Sequence, residues 1–194
     1  SFLTWDHPIV TGAMDLILSS EVGNSCFAVW PNQSEPGLLL EAIYELTTMA
    51  PGKWHADRFL PRTPIRIILD HQLEPVEESE IPRLESRILK DSLPYRLLEN
   101  DHMKNELLPK MLTNAEEIAQ RQAKQVGSKR LKEMEQALDL EINRLEKLEK
   151  INDHVRPIEL TLARTQKECL QKAIGEATLR LDSVRVIWKT PESV

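Results

Sequence analysis

The sequence predicts an α+β fold: an antiparallel or mixed sheet of about four strands, with a long antiparallel helical hairpin inserted before the last strand. Three observations lead there. Strand-like apolar runs cluster in the first seventy residues, a long Glu-, Lys- and Leu-rich stretch with helical spacing follows, and one more alternating run lies near the end. A last strand so far from the others must return to them, so both ends of the chain close one sheet.

The elements follow in order. Asp6 is placed to cap a helix whose first turn holds Pro8, where a missing N–H costs nothing. Ile9, Ala13, Leu16 and Ile17 repeat at helical spacing, and Gly23 closes the segment. Residues 26–30 are apolar on both faces and stopped by Pro31, as in a strand buried on both sides. Residues 38–47 carry two signals. Leu, Glu and Ala favour helix, yet Leu38, Leu40, Ala42, Tyr44 and Leu46 share one face at period two, opposite Leu39, Glu41, Ile43 and Glu45. The alternation reads as a long strand. Pro61 and Pro64 bracket the approach to a third strand over 65–69. Val184, Val186 and Trp188, alternating with Arg185 and Ile187, give the fourth. The sheet core is thus assigned to residues 1–70, with 183–190 returning as its last strand.

Residues 71–106 form an acidic connection bearing Pro75, Pro82 and Pro94, with only short helical patterns. Residues 107–182 read as the helical hairpin. After Pro109, Met111, Ala115, Ile118 and Ala119 mark one stripe; Leu131, Met134, Leu138, Leu145 and Leu148 then keep the a/d-like spacing of a coiled coil, interrupted by Glu141. Glu146 and Lys150 add an i,i+4 pair. Asn152-Asp153 breaks the run, and a second helix is expected over 157–181, with Ile158, Leu162, Cys169, Ala173, Ala177 and Leu181 as its apolar stripe. Two amphipathic helices joined by a short polar turn fold back on each other.

Composition narrows function by exclusion. With 194 residues, 41% hydrophobic and 29% charged, the chain can bury a core and is not disordered by composition. Aromatic residues make up 5%, which disfavours a stacking platform for single strands. The formal charge of −6 repels phosphate backbones overall, so any nucleic-acid contact needs a local basic patch. Cys26 and Cys169 form neither a CxxC pair nor a disulfide framework. No apolar run approaches the ~18 residues of a membrane span, and no secretory pattern opens the sequence. A start at Ser1 without methionine reads as a segment of a longer chain.

Phosphate-cradling chemistry needs a glycine-rich turn ending in Gly-Lys-Ser/Thr. Gly52-Lys53 is followed by Trp54, and Gly127-Ser128-Lys129 has the wrong order inside a helical pattern. Neither a dinucleotide fingerprint nor a nucleophile elbow appears. The chain is therefore expected neither to bind nor to hydrolyse ATP, and no catalytic, cofactor-binding or metal-binding residue is assigned. His7, His55, His71, His102 and His154 are scattered, without ligand spacing. Asp70-His71, at a strand end, reads either as an acid–base pair or as the commoner strand-terminating polar cluster. Trp5-Asp6-His7-Pro8 reads as a capped helix start.

One feature points to binding. Arg121, Lys124, Lys129, Arg130 and Lys132 place five basic residues and no acid between positions 121 and 132 of an otherwise acid-rich chain. The stripe is either a solvated helix face or a contact to an anionic partner, nucleic acid or protein. Lys129, Arg130 and Lys132 form its densest part in sequence, and Gly127 is expected to bend or divide the helix there.

Several segments together carry a resemblance. Leu3-Thr4-Trp5-Asp6-His7-Pro8 and Met14-Asp15-Leu16-Ile17-Leu18-Ser19 open it, and Leu38-Leu39-Leu40-Glu41, Arg58-Phe59-Leu60-Pro61 and Thr63-Pro64-Ile65-Arg66 continue it. It resumes at Leu145-Glu146 and at Arg180-Leu181-Asp182. These segments resemble the C-terminal domain of the RapA (HepA) family, bacterial RNA polymerase-associated ATPases of the Swi/Snf helicase-like class. The resemblance covers most of the chain, with residues 71–106 least recognisable. It implies a cytoplasmic, nucleoid-associated parent that binds RNA polymerase core and promotes its recycling by hydrolysing ATP with Mg²⁺ while translocating on nucleic acid. The family's ATP site lies in two RecA-like lobes upstream, so no catalytic residue carries over. The chain's expected partners are the polymerase core and those ATPase lobes, with nucleic acid through the basic stripe and no membrane. Two other readings stand beside it: a free-standing helical-hairpin adaptor, and an enzyme with a site around Asp70 and His71.

Overall fold

The computed structural model describes residues 24–31, 33–76, 100–151 and 157–191. The helix expected over 6–23, Pro82 and Pro94 of the acidic connection, and the Asn152-Asp153 break lie outside these residues. The Leu-, Glu- and Ala-rich stretch is a strand, β2 (Gly37–Thr47), which follows β1 (Ser25–Trp30) and precedes β3 (Thr63–Asp70). Helix propensity loses here because both edges of β2 are hydrogen-bonded, to β3 on one side and to the last strand, β4 (Thr178–Lys189), on the other. Pairing and burial on two faces outweigh an intrinsic preference of a few tenths of a kcal/mol per residue.

The strand order is β1-β4-β2-β3. β4 runs parallel to β1, with Phe27 opposite Val186, and antiparallel to β2, with Leu40 opposite Val186. β2 and β3 are antiparallel, with Leu40 opposite Leu69. The period-two alternation then sorts the sheet's two faces. Leu38, Leu40, Ala42, Tyr44 and Leu46 join Ile65, Ile67 and Leu69 in the main core, shared with the helices. Leu39, Ile68, Ile187, Ala28 and Trp30 form a second apolar cluster.

Glu41 stands on the strand face opposite the helices, 3% exposed, and is held from two neighbouring strands. Arg66 on β3 donates from Nε to one carboxylate oxygen at 2.6 Å, and Arg185 on β4 donates to the other. A carboxylate this deep would be strongly disfavoured unpaired. Because its partners lie on both flanking strands, the pairing reads the register of three strands at once.

A π-turn, Met103–Leu107, leads into helix α1 (Leu108–Glu149), and helix α2 (Pro157–Gly175) returns along it. The antiparallel hairpin is tied by Arg164 to Glu146 at 2.8 Å, Lys167 to Asp139 at 2.6 Å and Gln171 to Glu135 at 2.7 Å. Helical structure begins at residue 101, earlier than the sequence suggests. Four further expectations are corrected. α2 ends at Gly175 rather than near 181, and β4 begins at Thr178 rather than 183, because β2 offers Tyr44 to Thr47 as partners for Leu181 to Thr178. Leu181 therefore lies in the sheet and is 44% exposed. The apolar stripe of α2 is also shifted: Ile158 and Leu162 are 70% and 57% exposed, while Ala163, Leu170, Ala173 and Ile174 are buried. Gly127 does not divide α1, which runs unbroken through it.

Within the hairpin seam Met134 and Leu138 are buried, whereas Leu145 is only half-buried and Leu148 lies at the margin. The expected consequence is unequal. Met134→Ala should cost about 2–5 kcal/mol, as deletion of a fully packed side chain does, and Leu145→Ala only about 1 kcal/mol. Urea melts of the two variants check the order; a larger loss at Leu145 would put the hairpin's weight further out. A second expectation concerns pH. Burial pushes the Tyr44 phenol up from 10.0 to about 12, and the Glu116 carboxylate pushes the same way. Its folded value exceeds its unfolded one, so the stability it contributes is complete below about pH 10 and is lost as pH rises towards about 12. Tyr44→Phe should flatten the fall in stability over that window in melts taken across it.

Candidate functional site

α1 changes partners along its length. Its first half lies on the sheet: Leu112 and Glu116 line a crevice with Tyr44, and Ala123 lies near Leu46. Met111, Ala115 and Ala119 are completely buried there, and the two alanines let the backbone approach the strands closely. Its second half leaves the sheet and pairs with α2 from Met134 onward. The handover falls between Ala123 and Met134, where α2 ends and β4 starts. A cleft of about 460 Å³ opens at that junction, lined by apolar side chains that include Leu46, Ala123, Leu131, Ile174 and Leu179, with Gly127 on its wall.

The basic stripe lies on the same stretch of helix. Arg121, Lys124, Lys129, Arg130 and Lys132 are all exposed. At ~100° per residue, Lys124, Lys129 and Lys132 fall on one side of α1, with Arg121 between them, and Arg130 points about 160° away from Lys132. The structure bears this out. Lys124, Lys129 and Lys132 together line a shallow depression with Gln125 and Ser128. Arg130 instead binds Glu133 at 2.8 Å. The dense group is therefore Lys124, Lys129 and Lys132, not the Lys129-Arg130-Lys132 run that adjacency in sequence suggests, because residues one apart on a helix diverge. Lys124 and Ser128 belong to both the depression and the cleft, so the cations rim the apolar hollow.

Arg130, Arg144, Arg164 and Lys167 each face a carboxylate within 4 Å. Among the described residues, Lys124, Lys129 and Lys132 have no such partner. A second hollow, of about 470 Å³, meets the first at Thr178. There Arg62 and Arg180 flank Glu45 at 3.8 and 3.6 Å, so its charges are already matched.

The Asp70-His71 cluster is a turn, not a pair. The Asp70 carboxylate accepts the backbone N–H groups of Gln72 and Glu74 at 2.8 and 2.9 Å, fixing a turn in which Leu73 adopts φ 70°. His71 is exposed beside it. His55 sits in the left-handed region between two short 3-10 turns, and His102 pairs with Glu106 at 3.3 Å. Among the described residues no three of His, Cys, Asp and Glu gather as metal ligands, and no helix is long and apolar enough to cross a membrane. Sequence reasoning missed the cleft altogether. Its signals were a glycine in mid-helix and the early start of β4, and the second depends on pairing with β2.

The sequence profile of a family described as RNA polymerase recycling family C-terminal matches residues 1–189. The chain is 32% identical over 196 residues to the RNA polymerase-associated protein RapA of Photobacterium profundum, covering 96% of this chain and 19% of that protein. The Vibrio vulnificus protein of the same description is 33% identical over 205 residues, and that of Haemophilus influenzae 29% over 196. The chain thus spans about a fifth of the length of the curated relatives it matches.

A Cβ built on Gly127 meets nothing within 4 Å, so no crowding demands glycine there. Glycine in a helix interior costs about 0.5–1 kcal/mol against alanine. Gly127→Ala should therefore raise stability by that amount, read as a higher melting temperature. A fall would mean that the cleft wall tolerates no side chain.

Proposed function

The chain belongs to the RNA polymerase recycling family C-terminal domains, and from that premise we propose that it is the accessory docking domain of a longer, ATP-driven polymerase-recycling factor. On this reading, ATP, Mg²⁺, hydrolysis and helicase-like translocation on DNA belong to upstream lobes of the parent. This domain contributes a rigid surface that touches the polymerase core and keeps the ATPase lobes in register with it. The parent works in the cytoplasm, at the nucleoid.

One observation carries the docking role. Lys124, Lys129 and Lys132 line one depression on α1, exposed and without an ion-pair partner among the described residues. Such a cluster on a chain of net charge −6 is a local inversion of the field, and it steers an anionic surface to one face. A free-standing adaptor fits less well, since in the curated relatives the matched region is about a fifth of a longer protein. An enzyme centred on Asp70 fits less well again, since that carboxylate is already engaged by the turn it holds.

Reversing Lys124, Lys129 and Lys132 to glutamate in the full-length parent should weaken binding to core RNA polymerase about tenfold at low salt, and less at physiological ionic strength, where the Debye length is about 8 Å. Basal ATP hydrolysis should be unchanged, and Arg130→Gln, on the other side of α1, should bind like wild type. Equal affinity of the triple variant at both salt levels would make the stripe an ordinary solvated face.

A further inference from the structure

The three lysines account for attraction but not for the hollow beside them. The cleft is lined by Leu46, Ala123, Leu131, Ile174, Ala177 and Leu179, and Gly127 contributes open space where any other residue would place a side chain. Keeping glycine there gives up helix stability without any steric need in this chain, and its one visible effect is to widen the hollow. Lys124 and Ser128 join the hollow to the basic depression, so one occupant placed there meets both.

We infer that this junction receives a protein segment in which an apolar side chain enters the Gly127 cleft while flanking carboxylates rest on Lys124, Lys129 and Lys132. The inference rests on the docking role proposed above and specifies the chemistry of what docks. Charge complementarity chooses acidic flanks, and an aliphatic lining chooses an apolar anchor, the pairing that makes a compact hot spot with a polar rim. Nucleic acid suits the site less. No aromatic side chain lines the cleft or the depression to stack a base.

The test uses the full-length parent and purified core polymerase. Gly127→Leu should fill the cleft while leaving the melting temperature equal to or above that of wild type, and should weaken polymerase binding at least about tenfold. Gly127→Ala, which adds one methyl, should bind with an intermediate or unchanged affinity and so separates filling from misfolding. A photo-crosslinking residue placed at position 128 should then capture a polymerase segment in which a Leu, Ile, Met or Phe is flanked by at least two Asp or Glu. Wild-type affinity of a folded Gly127→Leu variant overturns the cleft and leaves the docking role standing. A crosslink to nucleic acid, to a basic segment, or to nothing while the protein stays bound overturns it too. If wild type itself fails to bind core polymerase, the docking role falls and takes this inference with it.

Discussion

Everything in this fold depends on where the last strand goes. β4 lies between β1 and β2, so the first strand has no neighbour in the sheet until residues 178–189 arrive. Without β4, the N–H and C=O groups of β1 and of one edge of β2 lose their sheet partners, and unpaired backbone groups are costly when buried. The helical hairpin is for this reason a long insertion between β3 and β4, and its two ends must finish at the sheet. Glu41 makes the arrangement specific. Its carboxylate is shared by Arg66 and Arg185 on the two flanking strands, so a slip of one residue in either pairing would strand a buried charge.

The same constraint generates the candidate docking surface. α1 is too long to rest on the sheet throughout, and α2 cannot accompany it to the sheet because the chain must leave α2 at Gly175 and enter β4 at Thr178. Small residues at 115, 119 and 123 seat the first half of α1 on the strands, and larger ones at 134 and 138 meet α2. Between these contacts neither the sheet nor α2 fills the space fully. The cleft is this unfilled junction, and the lysines stand on its rim because they lie on the side of α1 turned away from the core.

This geometry explains why a stripe that looks uniform in sequence is not uniform in space. Arg130 is one residue from Lys129 but on another side of the helix, where Glu133 one turn later neutralises it. Lys132 lies three residues from Lys129 and eight from Lys124, about 60° and 80° round the helix, so it bridges the two and the three share one field. An acidic domain can in this way carry a small basic face.

What the sequence determined by itself is the class of the fold and the family. Period-two alternation over 38–47 identified β2 against its helix propensity, and alternation from Val184 to Trp188 identified the returning strand, because side chains that must face two sides of a sheet leave that imprint locally. The helix over 108–149 was legible for the same kind of reason, as was the exposure of five cations. What only the tertiary structure decided is where elements end and which residues meet. Residues 178–181 are a poor strand on their own and become one because the far end of β2 offers hydrogen bonds. Ile158 and Leu162 look like core and are exposed, because the side of α2 that is buried is chosen by where α1 lies and not by apolarity alone. The cleft at Gly127 had no sequence signature beyond a mid-helix glycine, since a hollow belongs to the space between three elements rather than to any one of them.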